Sequence, residues 1–284
     1  MKHIALLLCI CFALNNIALG QKTAHMLSFK DSLKADAYWD SADRSPLHSQ
    51  KRQRYLDSAL ALTPQRAFFW QQKAMPLCKQ KKYEIGMPYL DSAVKYDKRE
   101  YIDYRAFMKC IFQKNYGSAI ADFNTARRIN GNIGLMDHSY DFYTGLCYLQ
   151  LDRFDSAEYY IGQSINGQKK SLGDNWVHYM DLFYMGVVEY EKGNYAGAIE
   201  NFDASLKQYK NFSDAKYYKA ICLSRLNKKE AALKIALEGM QDIKDGYTIN
   251  EDNSFYEEYP YQVRKYFFDN QVAALQSVLK GKKG

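Results

Sequence analysis

Residues 181–206 carry the clearest pattern of apolar and polar positions in the chain, and its period is helical. Leu182, Met185 and Gly186 fall at offsets of three and four, so they share one face of a helix. The polar run Glu191-Lys192-Gly193-Asn194 breaks that helix and turns the chain. Ala198, Ile199, Phe202, Ser205 and Leu206 then form the apolar stripe of a second helix. Small residues at Gly186 and Ala198 let the two helices approach closely, and bulky Tyr195 and Phe202 fill the space beside them. Such a hairpin cannot bury both its faces alone. It requires copies of itself to stack on.

The copies are present. Tyr55-Leu56-Asp57-Ser58-Ala59 and Tyr89-Leu90-Asp91-Ser92-Ala93 are one pentapeptide, repeated 34 positions apart. The same spacing of small and aromatic residues recurs in Gly145, Tyr148, Phe154, Ala157 and Ile161, and in Gly186, Tyr195, Ala198 and Phe202. It returns in Tyr116, Ala119, Phe123 and Ala126, in Ala74, Tyr83, Gly86, Leu90 and Ala93, and in Ala220, Leu223 and Ala232. Period and pattern together resemble the tetratricopeptide repeat family over residues 35–246. The family's Trp appears only at Trp70, Tyr190 sits one place late, and the first helix of the 100–133 unit fits only with one residue inserted. The resemblance implies an all-α fold, a right-handed α-solenoid of helix-turn-helix repeats. Its units are expected at about 35–66, 67–99, 100–133, 138–171, 179–212 and 213–246.

The flanks read differently. Met1 to Gly20 has the three parts of a secretory leader: Lys2 and His3, an apolar run from Ile4 to Leu14, and the small-x-small site Ala18-Leu19-Gly20. Export to the periplasm or cell surface of a Gram-negative bacterium is therefore expected, with no membrane-spanning segment once the leader is cleaved. Residues 21–34 read as a flexible polar segment. At the other end, 247–284 reads as an acidic, tyrosine-rich loop followed by a capping helix lined by Phe268, Val272, Leu275 and Leu279, with Pro260 in its first turn. Within the array, Pro76 and Pro88 mark the unit expected to be least regular. Gly131 and Gly167, each after Ile-Asn, are expected to end helices. The insertions at Asn132–Asp137 and Gln168–Trp176 would lengthen a helix or form edge loops, with Trp176 plugging a joint between repeats.

Composition changes this picture little. The formal net charge of +7 is spread over turns such as Lys79, Lys81 and Lys82, without the one-sided basic face of a nucleic-acid reader. Cys78, Cys110, Cys147 and Cys222 stand in the first helices of four different repeats, where buried free thiols are expected rather than bridges. The motifs of phosphate loops, nucleophile elbows and zinc-ligand pairs are missing, so no enzyme, cofactor or metal is expected. His138 and His178 begin the first helices of adjacent repeats, with Asp137, Asp141 and Asp181 nearby. Two imidazoles and a carboxylate could hold zinc. Two exposed helix-start histidines is the favoured reading.

What the resemblance implies about binding is a concave groove lined by the fifth and ninth positions of each first helix. The fifth positions carry Gln71, Tyr104, Phe142, Phe183 and Tyr217, and the ninth carry Met75, Met108, Leu146, Val187 and Ile221. The groove would be aromatic and apolar, unlike family members that grip a terminal carboxylate with Lys, Asn and Arg. The expected function is a non-catalytic envelope scaffold binding a protein or peptide segment in that groove, with no nucleic acid as partner. The alternative is a glycan or peptidoglycan binder using the same aromatic faces. A competing occupant of the groove is the chain's own segment Phe255 to Tyr261.

Overall fold

The computed structural model describes residues 29–281, in two compact units that divide between Tyr101 and Ile102. The leader expected over Met1–Gly20 lies outside the described residues. Helix α1 covers 29–43, so the segment expected to be flexible up to residue 34 is already helical from 29. It is followed by α2 (Gln50–Leu62), α3 (Ala67–Lys79) and α4 (Tyr83–Tyr96). Ser49 starts α2 by accepting the amide N–H of Arg52, satisfying one of the donors a helix start leaves open. Leu56, Ala59 and Phe69 share a core with Ala35 and Ala42, and Trp39 and Phe68 pack against it edge to face at 4.8 Å. Helices α3 and α4 run through Pro76 and Pro88 and pack as an antiparallel hairpin.

Helix α5 (Lys98–Phe107) does not continue as an α-helix. It passes into a π-helical turn, Met108–Phe112, before α6 (Tyr116–Asn130). A π turn is how a helix accommodates one extra residue, and it falls in the unit whose first helix needs an insertion to fit the repeat. The least regular unit is thus this one and not the proline-bearing one. Gly131, at φ +78°, closes α6 as expected. The insertion after it forms a hairpin of two short strands, β1 (Gly134–Leu135) and β2 (His138–Ser139), joined through Met136 and Asp137 at φ +47° and +63°.

Three more hairpins complete the second unit: α7 (Tyr140–Leu149) with α8 (Phe154–Leu172), α9 (Tyr179–Glu191) with α10 (Tyr195–Gln208), and α11 (Ser213–Arg225) with α12 (Lys229–Lys244). Helix α8 runs past Gly167 and stops at Gly173, φ +93°, so the second insertion first lengthens a helix by a turn. A short 3-10 turn, Asp174–Trp176, follows. Trp176 is 71% exposed, so it plugs no joint.

Close approach within hairpins rests on the small residues. A Cβ added at Gly186 would meet Phe202 Cε1 at 2.6 Å, and one at Gly145 would meet Ile161 Cγ1 at 2.5 Å. Both are far inside van der Waals contact, so these hairpins close only without a side chain there. The last helix, α13 (Lys265–Gly281), lays Phe268, Val272 and Leu275 on α11 and α12, capping the array as expected. It begins five residues later than Pro260, which is buried in the preceding loop. Cys78, Cys110, Cys147 and Cys222 are free and buried.

Candidate functional site

Between α12 and α13 the chain leaves the end of the second unit, travels back across its first helices, and returns. The outward pass starts where Tyr247 O accepts the N–H of Ser213 and Thr248 Oγ1 donates to Asp214 Oδ2 at 2.8 Å. Ile249 is buried, and the N–H of Asn250 meets the Tyr179 hydroxyl. Glu251 then arrives beside His138. After a 3-10 turn, Asp252–Phe255, the return pass begins where Lys114 donates to the carbonyl of Glu258. Tyr259 is buried, Tyr184 Oη donates to Pro260 O at 2.8 Å, and Tyr261 Oη donates to Glu191 Oε1 at 2.8 Å. The N–H of Val263 ends the pass on Asp214 Oδ1 at 2.7 Å. Both feet of the loop therefore stand on one buried carboxylate, in the manner of a compact Ω-loop.

Asp214 is fully enclosed, and burial pushes its carboxyl up to about 6 against the hydrogen bonds from Val263, Thr248 and Ser213 that favour the charge. Burial also holds the Tyr184 hydroxyl well above the usual phenol range, so it remains a donor to Pro260.

The loop does not rest on the residues that the resemblance assigns to the groove. Phe142, Leu146, Phe183 and Val187 are fully buried, and Met108 lies buried in the π turn. Phe183 packs on Phe202, Phe212 and Tyr218 at 5.0–6.0 Å between ring centres. The reason is its spacing: Phe183 and Phe142 stand three residues before Gly186 and Gly145, so they share the stripe that faces the partner helix of the hairpin. Tyr104 is half-buried. Tyr217 and Ile221 face α13, with Tyr217 edge-on to Phe268 at 5.3 Å. In the first unit Gln71 and Met75 are half-buried. The residues that meet the loop are one place later, Tyr184 through Pro260 and Tyr218 through the ring of Tyr261 at 5.7 Å. Their equivalent Tyr143 donates to the carbonyls of Leu135 and Met136, bracing the β hairpin. The repetition of Tyr143, Tyr184 and Tyr218 two places before Gly145, Gly186 and Ala220 was the available signal.

That hairpin brings the two histidines together. The rings of His138 and His178 stand edge to face with centres 4.8 Å apart. Neither is an exposed helix-start residue: His138 is buried and His178 is half-buried. His138 Nδ1 lies 3.7 Å from Asp181 Oδ2, and Nε2 lies 3.4 Å from Glu251 Oε1. Neither nitrogen and neither Asp181 oxygen completes a hydrogen bond. Burial opposes a charge on His138, yet the two carboxylates outweigh it and lift the imidazole to about 9. Burial, with His138 alongside, lowers His178, which accepts the amide of Met180 at 3.3 Å.

Residues 185–247 match the family model described as Tetratricopeptide repeat. The chain carries tetratricopeptide repeats. Solved structures of the same fold include a tetratricopeptide repeat protein from Parabacteroides merdae, 14% identical, covering 87% of this chain and 99% of that one with a TM-score of 0.57. The type IV pilus biogenesis factor PilW is 14% identical over 76% of this chain and 94% of its own, TM-score 0.57. PilF of Pseudomonas aeruginosa is 16% identical over 74% and 91%, TM-score 0.56. At these identities the likeness is one of fold. No curated protein matches the sequence. In the manner of that repeat fold, the chain sets the first helices α7, α9 and α11 side by side, and its returning loop takes hydrogen bonds from or gives them to α9 and α11.

Proposed function

We propose that this protein is a non-catalytic interaction scaffold exported to the envelope of a Gram-negative bacterium, and that its partner is a protein segment taking the place of residues 247–264 on the first helices. The observation that carries this reading is the way the loop is held. Side chains of the repeats bind its main chain, Tyr184 at the Pro260 carbonyl and Asp214 at the Val263 amide, as a repeat surface binds an extended peptide. The loop is also a template for what fits there: acidic, with tyrosines at 256, 259 and 261. The leader pattern of Met1–Gly20 supports export.

The test replaces residues 247–264 by a Gly/Ser linker of equal length, which keeps α13 tethered. A labelled synthetic peptide of residues 247–264 should bind the linker variant at least ~10-fold more tightly than the unaltered chain, whose own loop competes at high effective concentration. A linker variant that folds by circular dichroism and ignores the peptide overturns the binding surface. Recovery of the full chain in the cytoplasmic fraction overturns export.

A further inference from the structure

We propose that His138, His178 and Glu251 form a site for a divalent transition-metal ion of the zinc type, which clips the returning loop to the repeats. Their ligand atoms all lie within 4.8 Å of one another. Zinc bonds of about 2.0–2.2 Å to imidazole and carboxylate draw such atoms to roughly 3.4 Å apart, a closure within reach of side-chain rotation. Two imidazoles and a carboxylate are a donor set suited to zinc.

Unpartnered buried groups supply the second, independent observation. His138, with its side chain 1% exposed, leaves both ring nitrogens without a hydrogen bond, and Asp181, fully buried, leaves both oxygens so. Buried polar atoms without partners are rare because each carries its full desolvation penalty. An ion at His138 Nε2 resolves the arrangement. Nε2 and Glu251 become ligands, and Nδ1 then carries the proton and turns it to Asp181, 3.7 Å away, as a carboxylate orients a metal-bound histidine. His178 gives up its long bond to the Met180 amide in exchange for the metal. The open cleft lined by Asp137, Gln168, Trp176, His178 and Tyr179 supplies an entry path.

The three ligands come from different parts of the unit. His138 is held on β2, His178 caps α9, and Glu251 belongs to the loop. Binding the ion therefore binds the loop, so chelation should free it. That a freed loop admits a partner rests on the reading given above; the metal site does not.

The experiment uses the untagged full chain, stripped with a chelator and titrated with zinc chloride by calorimetry. One ion per chain is expected. Glu251→Gln and His178→Asn should each weaken binding by ~100-fold or more, and Asp181→Asn by roughly 10–100-fold. Cobalt(II) should give d–d absorption without a thiolate charge-transfer band. Zinc should protect residues 246–264 from limited proteolysis in the parent but not in Glu251→Gln. A parent chain that binds no zinc, two ligand variants that bind like the parent, or a thiolate band each overturn the proposal. If one variant fails to fold, the other decides. Peptide binding by the linker variant, which lacks Glu251, is read separately, so failure here and failure of the partner surface are distinguishable.

Discussion

Gly186 and Gly117 make a controlled pair at the scale of single residues. A methyl at Gly186 meets the Phe202 ring at 2.6 Å, whereas one at Gly117, on α6, meets nothing within 4 Å. Gly186→Ala should therefore lower stability by about 1–3 kcal/mol through overpacking. Gly117→Ala should raise it by roughly 0.4–1 kcal/mol by restricting the unfolded chain. Urea unfolding of both variants checks the pair, and equal behaviour would refute the hairpin packing. Asp214 gives a pH signature. Its folded carboxyl, at about 6, lies above the unfolded value near 3.9. The folded state thus binds the proton more readily, and this group's contribution is most favourable below about pH 4 and is lost as pH rises through 6. The loss is on the order of 3 kcal/mol. Asp214→Asn keeps an acceptor for Val263 and never ionises, so the melting temperature of the parent minus that of the variant should fall between pH 4 and 7. A constant difference would refute the buried, ionisable foot of the loop.

Among elements, α13 is the one whose removal is most telling. Val272 and Leu275 cover Ala220, Ala232 and Ala236, Phe268 packs over Gly239 and Tyr217, and burying each large side chain is worth about 1.5–3 kcal/mol. Truncation after Arg264 should lower the melting temperature and bring self-association, read by light scattering; a monomeric chain with an unchanged transition would show that α13 contributes nothing. This helix, the hairpin α9–α10 and the extra residue at Met108–Phe112 were all legible in the sequence, because each is written in local spacing. The candidate site was not. Phe183 and Tyr184 are neighbours of similar character, and their spacing to Gly186 says which packs into the hairpin but not that a loop covers the other. Likewise nothing near His138 in the chain announces Glu251, whose approach depends on a loop folding back over the array. Local periodicity sets helices; it carries no information about a distant irregular segment laid across them.

On the scale of the molecule, the loop alters what is expected of stacked repeats, where each unit touches its neighbours and unfolding can begin at an end. Here Asp214, Glu191, Tyr184, His138 and Lys114 are all joined to residues 248–263. Residues 102–281 should therefore unfold in one cooperative step, and the linker variant in several, or with a smaller urea m-value. Coincident single transitions in both proteins would contradict that coupling. The same contacts also set a timetable for the newborn chain. Lys114 and the Glu258 carbonyl it binds are 144 residues apart. At synthesis rates of roughly 5–20 residues per second, about 7–30 s separate their emergence. Tyr184 stands only 76 residues before the Pro260 carbonyl it binds, so for about the last 4–15 s of that interval it is made while its cover is not. For that time the face that carries Tyr184 is open to whatever other chain stands within reach.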